Sequence, residues 1–198
     1  MTKIVFASGN KGKIAELNYF LAPHRIECIP QDELGLTPAI EDGKTFIENA
    51  ILKARHVATY TNLPVLADDS GIIIDKLDGE PGIYSARYAG VECDGKKNIA
   101  KVIDNLAKKN IDTSPARFCC ALAFFQTGKN DQMPAIFTGI WEGSVISEPR
   151  GHAGFGYDPI FLDPKSNKTA AELGGFAKQA YSHRAKALQK FIDYFLAA

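Results

Sequence analysis

Asp68 and Asp69 stand at the end of the apolar run Val65-Leu66-Ala67 and are followed by Ser70 and Gly71. Adjacent carboxylates are costly if buried without partners. Along a strand their side chains alternate in direction, so one can face a cleft while the other braces the loop. A cleft-facing carboxylate can hold Mg²⁺ or take a proton from water. The same residues also suit an Asx-type turn joining two strands. Glu41, in Glu41-Asp42-Gly43, offers a second hard oxygen ligand, or a plain loop carboxylate near a helix N-terminus.

A second group of residues could bind phosphate. Ser8-Gly9-Asn10-Lys11-Gly12-Lys13 lies between an apolar strand and a segment with helical spacing. A glycine-containing turn there points backbone N–H groups at one spot, and the helix dipole adds partial positive charge. It is not a Walker A loop: the first glycine comes too late and no Ser or Thr follows the last lysine. Its lysines also suit a solvated turn. Lys53 lies one helical turn after Asn49, off the apolar face, and reads as solvated unless the other sites converge on it.

A third group could hold a nucleobase. In Gly154-Phe155-Gly156-Tyr157-Asp158, glycines free the backbone on both sides of Phe155. An exposed ring stacks on a base for about 1–3 kcal/mol, and a nearby carboxylate accepts base N–H donors. An aromatic packing loop is the alternative. Lys178 and Ser182-His183-Arg184 place cations at the start of the last helix, where they oppose the dipole and favour a ligand-facing role.

The elements around these groups alternate. Lys3-Ile4-Val5-Phe6-Ala7 predicts a strand, and apolar positions 14, 17, 20 and 21 predict a helix. Glu27-Cys28-Ile29-Pro30 is a weak strand. Thr45-Phe46-Ile47-Glu48 is a capping box that starts a helix running to about Tyr60. Leu63 to Ala67 and Ile72 to Ile74 predict two separate strands. Glu80 to Tyr88 is a loop or short helix, and Gly95 to Lys109 a helix. Ala116 to Gln126 and Ala135 to Ser147 predict a hairpin that projects from the main sheet, turning around Gly128-Lys129-Asn130-Asp131. Gly151 to Pro159 is a glycine-rich loop. Ser182 caps a last helix with Ala185, Leu188, Phe191, Ile192 and Phe195 inward. This order predicts one α/β domain over residues 1–198 with a mixed sheet and no separable linker.

Composition narrows the function. Lys+Arg and Asp+Glu both number 23, so the formal net charge is zero, which argues against a bulk nucleic-acid binder. No apolar run approaches a membrane span, and Met1-Thr2-Lys3 enters a strand at once, without a signal peptide. Cys28, Cys93, Cys119 and Cys120 show no C-x-x-C spacing and read as reduced thiols of a cytoplasmic protein.

Taken together, these segments resemble the inosine/xanthosine triphosphate pyrophosphatase family nearly end to end. The matching residues include Ser8 to Lys13, Thr45 to Ala50 with Lys53-Ala54-Arg55, Ala67 to Gly71, and Pro81 to Tyr88. They continue through Gly154 to Phe161, Lys168 to Leu173 and Ser182-His183-Arg184. Ser8 stands where many relatives have Thr. Gly174-Gly175-Phe176-Ala177 replaces the charged residues that usually precede the lysine aligned with Lys178.

The resemblance implies an ITPase-like α/β fold: a long central mixed β-sheet flanked by helices, two lobes with an active cleft, and a homodimer. It implies Mg²⁺-dependent hydrolysis of a non-standard purine nucleoside triphosphate (ITP, dITP or XTP) to monophosphate and pyrophosphate. Ser8, Gly9, Asn10, Lys11, Gly12 and Lys13 would bind the triphosphate, with Lys53 assisting and Ser70 touching substrate. Glu41 and Asp69 would hold Mg²⁺, with Asp69 also accepting the proton of the attacking water. Phe155, Gly156, Tyr157, Asp158, Lys178, His183 and Arg184 would form the base pocket. A non-catalytic nucleotide sensor would need the lysines and Phe155 but not two carboxylates on one metal.

Overall fold

The computed structural model describes residues 2–126 and 133–197, without the side chains of 175–177 and 179. The turn expected around Gly128-Lys129-Asn130-Asp131 lies outside the described residues. The chain divides into two compact units. One comprises Met1–Asp69, Cys120–Gly139 and Arg184–Ala198; the other comprises Ser70–Cys119 and Ile140–His183.

In order, the elements begin with β1 (Thr2–Phe6), α1 (Lys11–Leu21), β2 (Ile26–Pro30), α2 (Phe46–Ala58) and β3 (Val65–Ile74). They continue with α3 (Gly95–Lys108), β4 (Thr113–Phe125), β5 (Ala135–Ile146), β6 (Phe161–Asp163), β7 (Lys168–Thr169), α4 (Ala170–Tyr181) and α5 (His183–Ala197). The seven strands form one sheet in the order β2-β1-β3-β4-β5-β6-β7. β1 is parallel to β2 and to β3, whereas β5–β6 and β6–β7 are antiparallel. The sheet is therefore mixed, as the sequence predicts.

In the first unit, strand alternation sorts side chains between two cores. Ile4, Phe6 and Leu66 pack with Leu17 and Leu21 of α1 and Leu188 and Phe191 of α5. Val5, Ala7, Val65 and Ala67 pack with Ala50, Ala54 and Val57 of α2. Burial on both faces explains why β1 and the start of β3 read as continuous apolar runs. The second unit has its own core, in which Ile72, Ile74, Phe118, Trp141 and Phe161 pack with Val102 and Leu106 of α3.

Three expectations change. Residues 65–74 form one continuous strand, not two strands joined by a turn. Asp68-Asp69-Ser70-Gly71 has turn-like composition, but the apolar residues on both sides are buried in the sheet and hold the segment extended. The segments expected as a projecting hairpin are the fourth and fifth strands of the seven. α4 was not expected at all. Its start is a capping box: Thr169 Oγ1 accepts the Glu172 N–H at 3.2 Å, and Glu172 Oε2 accepts the Thr169 N–H at 2.7 Å. Thr169-Ala170-Ala171-Glu172 carries that signature in the sequence.

Candidate active site

The site in the first unit begins with the turn from β1 into α1. Asn10 is the N-cap of α1: its Oδ1 accepts the Lys13 N–H at 3.1 Å, and its own N–H donates to Ser8 Oγ at 3.2 Å. Capping this way leaves the turn open: Gly9, Asn10 and Lys11 are exposed, Ser8 and Gly12 half-buried. A Cβ at Gly9 would lie 2.5 Å from Asp32 Oδ2, so any larger residue there would make that exposed side chain turn away. Lys13 leaves the first turn of α1 toward β3, where its Nζ is 2.5 Å from Asp68 Oδ1.

β3 gives its two acids to opposite faces. Leu66 belongs to the α1/α5 core and Ala67 to the α2 core, so alternation carries Asp68 to the first side and Asp69 to the second. Asp68, 1 % exposed, takes Lys13 and also Arg184, whose Nε donates at 2.8 Å; the Cys120 thiol lies 3.3 Å away. Burial opposes ionisation of Asp68, but Arg184 and Lys13 outweigh it and hold the carboxyl well below the usual carboxylate range. Arg184 Nη1 also meets Glu16 Oε2 at 2.5 Å, one turn along α1 from Lys13. Lys13, Asp68, Arg184 and Glu16 thus form a chain of ion pairs that leaves and returns to the start of α1.

On the other side, Asp69 meets α2. Lys53 Nζ is 2.7 Å from Asp69 Oδ1 and 2.9 Å from Glu41 Oε1. Asn49, completely buried one turn before Lys53, donates from Nδ2 to Asp69 Oδ2 at 3.4 Å and accepts the Gly43 N–H at 2.9 Å. A Cβ at Gly43 would lie 2.6 Å from Asn49 Oδ1, so the loop carrying Glu41 fits only with glycine there. Thr45 starts α2 by accepting the Glu48 N–H at 3.1 Å. Glu48 reaches back to the Lys44 N–H at 2.6 Å instead of the Thr45 N–H of an ideal capping box. Burial raises the Asp69 pKa, and Lys53 and Lys13 only partly offset it. For Lys53, burial works against the charge, yet Asp69 and Glu41 prevail and its pKa is raised.

Lys53, which reads by itself as solvated and by the resemblance as a phosphate ligand, is buried between two carboxylates, because α2 carries it toward β3. The sequence gives Asn49 no role of its own; its spacing of one helical turn from Lys53 is the signal that it shares that residue's face. The two carboxylates converge on one cation already. Carboxylate oxygens are hard donors of the kind Mg²⁺ prefers, and Mg²⁺ is commonly held by one or two of them with waters and substrate phosphates. Among the described residues, no group of three or more His, Cys, Asp or Glu side chains is placed to hold a metal. Glu41 and Asp69, which meet on Lys53, are the residues whose chemistry fits such an ion.

The second unit carries the aromatic group. Phe155 is half-buried between exposed Gly154 and Gly156, with φ +79° and +60° at the two glycines. Asp158 Oδ2 accepts the Phe155 N–H at 2.9 Å and the Lys178 ammonium at 2.7 Å. Lys178 Nζ in turn lies 4.6 Å from the centre of the Phe155 ring. That Asp158 oxygen, expected to accept base N–H donors, thus positions Lys178 and the Phe155 backbone. Tyr157 is buried and donates to Ser85 O at 2.7 Å. His183 is buried and stacks on Phe118 with ring centres 4.8 Å apart. Ser70 is half-buried in β3. Arg184, expected beside the base, is 3 % exposed and carries the ion pairs to Asp68 and Glu16. Two carboxylates therefore offset the cation at the start of α5. Ser85 belongs to the matching Pro81 to Tyr88 segment and Phe118 to β4; each lies far in sequence from the residue it meets, a pairing that no periodicity reports.

Fold and site together define an α/β protein with a mixed sheet, a glycine-containing turn at the start of α1 and a buried pair of acids held by separate cations. The chain belongs to the Ham1 family, whose profile matches residues 4–194. The dITP/XTP pyrophosphatase of Escherichia coli O157:H7 is 48% identical to it over 193 residues, covering 98% of each chain. The HAM1 protein from Coxiella burnetii superposes with a TM-score of 0.90 at 44% identity, over the whole of both chains. The Staphylococcus aureus Ham1 protein gives 0.85 at 36% identity over 99% of each.

Proposed function

We propose that this chain hydrolyses the non-standard purine nucleoside triphosphates ITP, dITP and XTP to the monophosphate and pyrophosphate, clearing them from the nucleotide pool. The observation that carries the reading is the separation of two neighbouring carboxylates by their surroundings. Arg184 and Lys13 hold the Asp68 carboxyl well below the usual carboxylate range, while burial raises the pKa of Asp69. A pair driven apart in this way supports the reading of Asp68 as the structural acid and Asp69 as the proton acceptor.

Water adds to the α-phosphorus, the bond from that phosphorus to the bridging oxygen breaks, and the oxygen leaves with pyrophosphate. Asp69 takes the proton of the attacking water. The turn from Ser8 to Lys13 supplies N–H groups, and Lys13 and Lys53 supply positive charge for the leaving pyrophosphate. Mg²⁺, held by Glu41 and Asp69, would neutralise phosphate charge and make the water more acidic.

Phe155 supplies a stacking face for the base, and Lys178 a donor for its 6-oxo group. Adenine presents an amino donor at that position, leaving the buried ammonium facing another donor, a mismatch that sites of this kind penalise strongly. His183 and Tyr157 shape the same unit, and Arg184 supports the phosphate end through Asp68. The proposal includes a homodimer, on the family resemblance, and a cytoplasmic location. Four free cysteines among the described residues support the latter. No described helix is long and apolar enough to cross a membrane.

Incubation with Mg²⁺ and ITP, dITP or XTP, beside GTP and dTTP, tests the reading by product. Monophosphate and pyrophosphate from the first three, with little from the others, is the expected result. Diphosphate with orthophosphate would overturn it.

A further inference from the structure

Lys53 holds an unusual position for an ammonium. It lies within 2.9 Å of Glu41 Oε1 and 2.7 Å of Asp69 Oδ1, and its side chain is only 11% exposed. Asp69 already has a neutral anchor on the same helix, the Asn49 amide. Positioning Asp69 therefore does not by itself require a charge beside it. What the charge adds is compensation: Glu41 and Asp69 would otherwise face each other as two anions in a poorly solvated place. A divalent cation bound to the same oxygens sits about 2.0–2.1 Å from each. An ammonium hydrogen-bonded to both oxygens cannot share that position.

We propose that Lys53 is a tethered surrogate cation, which keeps Glu41 and Asp69 converged in the metal-free protein and must be displaced from them when Mg²⁺ binds. This inference rests on the reading of Glu41 and Asp69 as metal ligands. Lys53 then competes with the metal and sets its affinity, while Asn49, being neutral, holds Asp69 in both states. The flexible lysine stem lets the displaced ammonium turn toward a phosphate. Metal binding in the absence of nucleotide is thereby kept weak, and the site is completed when substrate and metal arrive together.

The test measures binding of Mn²⁺ alone, without nucleotide, by the electron paramagnetic resonance signal of the free ion. Wild type is compared with Lys53→Met, Lys53→Gln and Glu41→Gln. Loss of the internal competitor is expected to tighten Mn²⁺ binding on the order of tenfold in both Lys53 variants, a coupling of ordinary size. Glu41→Gln is expected to weaken it. Melting temperatures provide a second readout: metal-free Lys53→Met melts below wild type and gains more from Mn²⁺. Lys53→Gln retains hydrogen-bonding capacity and carries the comparison if the Met variant does not fold. Unchanged or weaker Mn²⁺ binding in the Lys53 variants, with Glu41→Gln weakened, would overturn the competitor role alone. Mn²⁺ binding that ignores Glu41→Gln, or that is absent throughout, would overturn the metal assignment and this inference with it.

Discussion

Asp68 and Asp69 are consecutive residues of β3, yet each answers to a different cation: Asp68 to Arg184 at 2.8 Å and Asp69 to Lys53 at 2.7 Å. The pleat of one strand separates them, one facing the helices that carry Lys13 and Arg184, the other facing α2. Their surroundings push the pKa values of these sequence neighbours in opposite directions.

Removing the proton acceptor should stop chemistry and spare binding. Asp69→Asn is expected to lower turnover of ITP by about 10²–10⁴-fold, the span of a lost general base. Nucleotide affinity by calorimetry should stay within a few-fold of wild type. Near-normal turnover would remove Asp69 from the mechanism.

Asp68 should act on stability. Asp68→Asn leaves Arg184 buried with Glu16 as its remaining carboxylate, and loss of one partner of a buried pair costs about 3–5 kcal/mol. Because the folded-state pKa of Asp68 lies below its unfolded value, the charge contribution is complete above about pH 4 and is lost as pH falls through the folded value. Urea unfolding of the two proteins should show a constant difference from neutral pH down to about pH 5. The difference should narrow below about pH 4. A gap that persists unchanged into acid would contradict the ionised assignment.

Gly154→Ala should disturb the aromatic group. Gly154 has φ +79°, and an added Cβ would run into Asp158 Oδ2, the oxygen that holds Lys178 and the Phe155 N–H. Strain of about 1–3 kcal/mol is expected at such a position. Steady-state kinetics should show KM for ITP rising more than kcat falls, since the phosphate end is untouched.

The capping box at Thr169 sets the start of the helix that bears Lys178. Thr169→Ala is expected to cost about 1 kcal/mol of stability, read from the urea midpoint. Serine at the same position should restore most of it, whereas equal losses for Ala and Ser would mean that the hydroxyl cap is not what stabilises α4.

Local signals were readable where the chemistry is local. The turn from Ser8 to Lys13 lies where the strand-to-helix pattern puts it, and Thr45 caps α2 as its spacing predicts. Strand alternation was enough to foresee that Asp68 and Asp69 separate. What escaped was set by tertiary packing. Asp-Asp-Ser-Gly has the composition of a turn, and only its place in the sheet makes it strand. Lys53 reads as solvated until β3 and the Glu41 loop are brought against α2. Arg184 meets Asp68 across 116 positions of chain, a separation that no periodicity reports. Thr169-Ala170-Ala171-Glu172, by contrast, carries a local capping-box signature for α4 in the sequence itself.

Hydrolysis of dITP in ¹⁸O-labelled water, with mass analysis of both products, addresses the mechanism at its core. Attack on the α-phosphorus places the label in the monophosphate and leaves pyrophosphate unlabelled. Label in pyrophosphate, or in released orthophosphate, would mean attack at another phosphorus and contradict the assignment of Asp69 and its neighbours to the α-phosphate.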